Sequence, residues 1–263
     1  MLHALYQVDA FTDLPFKGNP AGVCLLDAPE PDTWMQDLAA EMNLSETAFL
    51  LPGKSGWGLR WFTPKTEVDL CGHATLASAK VLFECQPELR DRPIEFETRS
   101  GTLRARWANG CVELDFPAMT YQHMTVPHSI VQALGFTPIG AAASGDYYLF
   151  EAINDQVIRE AKPNIAELEQ LPYPEVIITA KTPNQDYDFI SRFFAPRLGV
   201  DEDPVTGSAH CLLAPYWADK LEKMDFTAFQ ASERGGVLHV RLAGDRVRIS
   251  GDAVIVFSGE LWI

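Results

Sequence analysis

Arg60-Trp61-Phe62-Thr63-Pro64 and Arg192-Phe193-Phe194-Ala195-Pro196 are two versions of one phrase, an arginine-led aromatic strand stopped by a proline. Each runs through an acidic loop to a glycine: Gly72 lies eight residues after its proline, Gly207 eleven after its own. Each glycine opens a helix that is apolar on nearly every face, Gly72 to Glu84 and Gly207 to Leu221. A helix without a polar face must have protein on all sides. Matching Gly72-His73-Ala74 to Gly207-Ser208-Ala209 needs only a three-residue difference in the loops. The shared order of strand, proline, acidic loop, glycine and enclosed helix predicts a duplicated α+β domain.

Outward from these phrases, short extended segments dominate the first third: Tyr6 to Phe11, Gly22 to Leu26, Glu46 to Leu51 and Gly58 to Phe62, punctuated by prolines at 15, 20, 52 and 64. Between them Trp34, Met35, Leu38 and Met42 recur at helical spacing, predicting a packing helix over Pro31 to Met42. Further strands are expected at Ile94 to Thr98, Leu103 to Trp107 and Val112 to Phe116, and in the second half near Asp146 to Ile153 and Val176 to Ala180. The pattern breaks around Pro117 to Pro127. The expected domains are therefore 1–117 and 126–250, with a final strand, Val254 to Ile263, free to return to the first.

The 263 residues carry 21 Lys+Arg against 36 Asp+Glu, a formal charge of −15, with 47% hydrophobic residues. That balance suits a folded chain able to bury a core. Its acidity argues against a nucleic-acid or anionic-membrane surface, whose binding draws on Lys and Arg. No apolar run approaches the ~20 residues that span a bilayer, and Met1 to Phe11 lacks the basic flank of a signal peptide. A cytoplasmic location is the expectation. Cys24, Cys71, Cys85, Cys111 and Cys211 form an odd set with no CxxC pair, which favours reduced thiols over disulfides or structural zinc. Trp57, Trp61 and Trp262 belong either to the core or to an interface.

The two glycine turns carry the chemistry. A helix start exposes N–H groups at the positive end of its dipole and binds anions. Two such ends facing one cleft hold a carboxylate without arginines. The side chains there are Asp69, Cys71 and His73 at the first turn, and Asp203, Thr206 and Ser208 at the second. Both aspartates can simply cap their helices. Cys71 is either an inert buried thiol or one activated by the helix start. His73 at the dipole's positive end is expected to be neutral, and His210 belongs to the helix body. Glu46 opens a largely apolar strand, so its carboxyl is expected to be poorly solvated and raised in pKa; a solvated strand edge is the plainer alternative.

The stretches Gln7-Val8-Asp9-Ala10-Phe11, Gly18-Asn19-Pro20-Ala21, Asn43 to Phe49, Asp69-Leu70-Cys71-Gly72-His73-Ala74-Thr75 and Asp203-Pro204-Val205-Thr206-Gly207-Ser208-Ala209 together resemble the phenazine-biosynthesis PhzF-like isomerase family. The resemblance implies the diaminopimelate-epimerase-like fold: two pseudo-symmetric α+β domains, each a curled, mostly antiparallel sheet around a central helix, with the site in the cleft between them. It also implies cofactor-independent proton transfer, as in the family's conversion of dihydro-hydroxyanthranilate, and often a homodimer. By motif position Glu46 resembles the acid/base carboxylate, while His73, Asp203 and Ser208 resemble supporting catalytic residues. Gly72 and Gly207 correspond to the turns that meet the substrate carboxylate, with Asn19, Cys71, Ala74 and Thr206 as further binding positions.

The expected function is a cofactor-independent isomerase of a small carboxylate-bearing metabolite. Three alternatives stay open. A single-thiol epimerase would use Cys71; the two-thiol form is disfavoured because Thr206 occupies the second cysteine's place, and a threonine hydroxyl is a poor base. A noncatalytic carboxylate-binding protein would keep the turns but not need Glu46. A metal hydrolase on Asp201, Glu202 and Asp203 suffers because consecutive residues of an extended loop point different ways, and no metal is expected.

Overall fold

The computed structural model describes residues 3–54 and 56–262. Met1, Leu2, Ser55 and Ile263 lie outside the described residues, and with Ile263 the outer end of the expected last strand. The chain divides into two units, Met1–Phe116 with Ile249–Ile263, and Pro117–Arg248.

The first unit holds β1 (His3–Ala10), β2 (Asn19–Leu25), β3 (Glu46–Pro52), β4 (Trp57–Phe62), β5 (Glu67–Val68), β6 (Ile94–Thr98), β7 (Gly101–Ala108) and β8 (Cys111–Pro117), with α1 (Asp32–Met42) and α2 (Gly72–Cys85). The second holds β9 (Gln122–His123), β10 (Gly140–Ser144), β11 (Tyr147–Glu151), β12 (Glu175–Lys181), β13 (Phe189–Ala195), β14 (Val200–Asp203), β15 (Asp225–Gln230) and β16 (Gly236–Ala243), with α3 (His128–Leu134), α4 (Asp155–Glu160), α5 (Ile165–Gln170) and α6 (His210–Leu221). β17 (Arg246–Gly251) leads back to the first unit, where β18 (Ala253–Leu261) pairs antiparallel along β1. The three short helices α3 to α5 and the strands after Ala180 other than β13 and β18 went unmarked in the hydrophobic pattern.

The pairing pattern is duplicated. In the first unit β1–β2 is antiparallel, β2–β3 parallel, β3–β4 antiparallel, β4–β6 parallel and β6–β7 antiparallel. In the second, β10–β11, β11–β12, β12–β13, β13–β15 and β15–β16 follow the same sequence of directions. The aromatic phrases match atom for atom in kind. Arg60 forks onto Glu67 with both bonds at 2.7 Å and covers the Phe62 ring at 5.1 Å. Arg192 forks onto Glu202 at 2.7 and 2.8 Å and covers the Phe194 ring at 5.1 Å. Planar, two-pronged bonding is what guanidinium offers a carboxylate; the acidic loops answer their own strands.

α2 is enclosed because its Ala74, Leu76, Ala77, Ala79, Val81, Leu82 and Phe83 leave no polar stripe. It touches β1, β2, β3, β7 and β18, so the sheet wraps it. Its two buried hydroxyls turn inward on the helix itself, Thr75 Oγ1 donating to Cys71 O at 2.6 Å and Ser78 Oγ to Ala74 O at 2.7 Å. Truncating Leu76 there would cost about 2–5 kcal/mol. α6 repeats the arrangement, with Leu212, Leu213, Ala214, Tyr216 and Trp217 buried. It begins at His210, not Gly207: Gly207 to Ala209 form a tight turn in which His210 N–H bonds Gly207 O at 3.0 Å and Cys211 N–H bonds Ser208 O at 3.0 Å. Outside the sheets, α1 covers Phe49 and Phe62 in the first unit, while α3, α4 and α5 cover Phe150, Ile178 and Phe194 in the second. Trp61 is 1% exposed and belongs to the core; Trp262 is 84% exposed. All five cysteines are free thiols. No helix among the described residues is long and apolar enough to cross a membrane.

Candidate active site

Three local devices deliver side chains to the start of α2. Gly18 adopts φ +65°, and a Cβ there would lie 2.2 Å from the Ala10 carbonyl oxygen, so only glycine permits the turn that delivers Asn19. Asn43 closes α1 in the left-handed region at φ +49°, a conformation asparagine tolerates, and sends the chain through Leu44 and Ser45 into Glu46 at the head of β3. Cys71 caps α2 with extended backbone and no side-chain capping bond. The first N–H groups of the helix therefore keep no intrahelical acceptor.

These devices bring Asn19, Glu46, Cys71 and His73 together. His73 Nε2 and Glu46 Oε2 are 3.0 Å apart. The ring N–H is not aimed along that line, and Glu46 Oε2 has no hydrogen bond although it is buried. On the other side of the ring, Asn19 Nδ2 is 3.2 Å and Cys71 Sγ 3.5 Å from His73 Nδ1. Ser45 Oγ donates to Asn19 Oδ1 at 3.1 Å. Because a hydroxyl both donates and accepts, Ser45 can serve the Asn19 amide in either orientation. The amide can thus face a bare Nδ1 with its NH2, or a protonated Nδ1 with its oxygen.

Two sequence expectations are corrected here. Burial pushes the Glu46 carboxyl upward, but the His73 charge, with the His73 and Cys71 side chains close by, outweighs it and holds the group below its ordinary value. Burial pushes His73 down, but the Cys71 sulfur and the Glu46 carboxylate beside it raise it well above its ordinary value. The resting pair is therefore carboxylate and imidazolium, rather than a neutral acid beside a neutral base. The helix dipole, worth about 0.3–1 kcal/mol at most surface sites, loses to a carboxylate in contact. Cys71 moves away from activation: burial, then the Glu46 charge, push its thiol up to about 11. At neutrality only about one part in ten thousand would be thiolate, which counts against a thiol base.

At the second turn, Thr206 Oγ1 donates to Asp203 Oδ2. Gln230, at the end of β15, ties the turn down: its Oε1 accepts from Thr206 N–H at 2.8 Å and its Nε2 donates to Asp203 O at 2.8 Å. His210 Nδ1 donates to Thr206 O at 2.9 Å. Ser208 stands between Gly207 and Ala209, with the Tyr147 hydroxyl within hydrogen-bonding reach. Gln230 and Ser45 were not singled out in the sequence. Ser45 lay inside a quoted motif, whereas Gln230 joins the turn from 24 residues away with no local signal. Glu202 is taken by Arg192 and Asp203 by Thr206. Among the described residues, the donors close enough to share a metal ion are instead Glu46, Cys71 and His73, whose ligating atoms lie within 4.8 Å of one another.

The family model for phenazine biosynthesis-like proteins (PhzC-PhzF) matches residues 8–259. The chain belongs to the PhzF family. An uncharacterized isomerase of Halalkalibacterium halodurans is 50% identical over 262 residues, 99% of each chain. A PhzF-family crystal structure from Enterococcus faecalis superposes with a TM-score of 0.96 at 38% identity, covering 100% of both chains. A predicted epimerase from Pseudomonas aeruginosa, at 22% identity and TM-score 0.73 over 99% of each chain, shares the fold alone. The PhzF fold, α+β and diaminopimelate-epimerase-like, is therefore that of this chain.

Proposed function

We propose that this PhzF-family chain is a cofactor-independent isomerase that moves a proton within a small carboxylate-bearing metabolite. The observation that carries the reading is Glu46 Oε2, a buried carboxylate oxygen with no hydrogen bond, 3.0 Å from an imidazole. A base needs a lone pair available to its substrate and an ionised resting state. His73 supplies the second by holding the carboxyl below its usual range. A weakly solvated carboxylate can take a proton from an activated carbon and return it at a neighbouring one, if fixed donors stabilise the charge that develops between the two steps.

The reading keeps Gly72, with Ala74 beside it, and Gly207 as carboxylate-binding turns, each within its own unit. Asn19 orients His73, and Asp203, through its bond from Thr206, holds the second turn or a substrate amine. Ser208 donates to the developing charge. The isomerase named from Halalkalibacterium halodurans supports this class of reaction. The raised Cys71 thiol counts against the single-thiol epimerase. A cytoplasmic homodimer accompanies the proposal.

The test is solvent deuterium incorporation across a panel of small amino- and hydroxy-carboxylates. Exchange into at least one compound is expected, and Glu46→Gln should slow it about 10²- to 10⁴-fold with ligand affinity largely kept. A Glu46→Gln variant that exchanges at the parent rate would refute Glu46 as the base. Binding without exchange in the parent would favour the noncatalytic carboxylate-binding protein.

A further inference from the structure

The duplicated register identifies a residue that motif reading passed over. In β3–β4 the partner of Arg60 is Phe49, and in β12–β13 the partner of Arg192 is Ile178. Since Arg60 and Arg192 are equivalent, so are Phe49 and Ile178. Stepping back along the two strands makes Thr47 equivalent to Val176 and Glu46 equivalent to Glu175. The parallel neighbours agree: Glu46 lies beside Ala21 and Glu175 beside Tyr147, each at the head of its strand. The helix turns complete the match, with His73 and Ser208 at corresponding positions.

A serine is too short to reach a carboxylate that a histidine touches directly, and the second unit makes up the difference. Where the first unit has Ala21, the second has Tyr147, whose hydroxyl lies within hydrogen-bonding reach of both Ser208 and the Glu175 carboxyl. Glu175 Oε2 is buried and without a hydrogen-bond partner, the same condition as Glu46 Oε2. We propose that Ser208, Tyr147 and Glu175 form a proton relay, the second unit's counterpart of the His73–Glu46 pair, through which Ser208 exchanges a proton with the substrate.

The relay balances without a co-reactant. When a proton from the substrate bonds to Ser208 Oγ, the serine's own proton passes to Tyr147 Oη, and the tyrosine's proton passes to the Glu175 carboxylate. The substrate has lost one proton and Glu175 has become a carboxylic acid; the reverse sequence returns it. Glu175 suits the terminus because burial raises its carboxyl and the nearby Asp146 charge adds to that, against the Tyr147 hydrogen bond. Tyr147, raised by burial and by the Glu175 charge, stays protonated and passes protons only by giving one as it takes another. The titratable groups facing the relay are Asp146 from the turn before β11 and Cys211 from α6, whose thiol is pushed up to about 12 by burial. Tyr147 and Glu175 are thus positioning residues acting through Ser208, and the proposal rests on the isomerase reading for what Ser208 protonates.

The test uses the full chain labelled with carboxyl-13C glutamate, the Glu175 signal being assigned by its loss in Glu175→Gln. Its NMR titration midpoint is expected above the ordinary ~4.3 of a glutamate, and Tyr147→Phe should raise it further by removing a donor. Ser208→Ala should move it by about half a unit or more through the shared hydroxyl; a midpoint indifferent to Ser208→Ala overturns the relay. On the compound found by the exchange screen, Tyr147→Phe and Glu175→Gln should each lower kcat about ten- to a hundredfold with KM nearly unchanged, flatten the limb of the pH profile due to Glu175, and combine to no more than either alone. Parent-like kcat and pH profile in folded Tyr147→Phe likewise overturn it. Loss of the Ser208–Glu175 coupling with exchange still dependent on Glu46 removes the relay only. Intact coupling with binding but no exchange in the parent removes the isomerase reading only.

Discussion

Glu46 and His73 show how a contact can reverse two local expectations at once. A carboxyl leading a buried strand and an imidazole at a helix start each read, in isolation, as groups pushed toward neutrality. At 3.0 Å each supplies the charge the other's burial would remove. The linkage has a definite sign. Glu46 is depressed, so its contribution to stability is present above the ordinary glutamate value and lost as pH falls through the folded one. His73 is raised, so its contribution is present below the ordinary ~6.5 and lost as pH rises through the folded value. The pair therefore stabilises the first unit most between those two ordinary values. By NMR, His73 should titrate above 6.5 in the parent. In Glu46→Gln it should fall, because burial then acts with one of its two opponents, Cys71 and Glu46, gone. A His73 midpoint unmoved by that substitution would show that Glu46 is not its partner.

Helices and strands were legible in proportion to how much their own sequence decides. α2 was readable end to end because an all-apolar face pattern has one explanation, and β3 and β4 because Pro52 and Pro64 bound them. The start of α6 was misread at Gly207: glycine there marks a tight turn, and the regular helix waits for His210. That histidine braces the turn by donating from Nδ1 to Thr206 O, while burial lowers its pKa to about 4. An unfolded histidine titrates near 6.5, so below that value the unfolded chain binds the extra proton and the second unit loses stability, by roughly 3 kcal/mol once pH reaches about 4. His210→Gln, which keeps a donor without the titration, should flatten the denaturant-midpoint curve between about pH 4 and 6.5. A parent-like slope in that variant would assign the acid loss elsewhere.

The two units repeat one strand order, and the first and last strands, β1 and β18, pair in the first unit. β18 pairs with β1 from Leu261 opposite His3 to Ala253 opposite Ala10. Deleting 253–263 would strip β1 of that partner and expose both an unpaired strand edge and one wall of the α2 enclosure. The truncated chain should lose cooperative melting and hydrogen-exchange protection over His3–Ala10. Retained protection there would show that β18 is dispensable to the unit. The duplication, the enclosed helices, the two glycine turns and the placement of Glu46 at a strand head are legible in the order of residues, because periodicity, prolines and glycines act within a few residues. Which protons rest where, and that Glu175 answers Glu46, emerged with the folded chain. Charge states depend on desolvation and on partners brought up by the fold, such as His73, 27 residues from Glu46 in sequence. The likeness of Glu175 to Glu46 is written in strand register, which hydrogen bonding between strands sets and residue identity alone does not show.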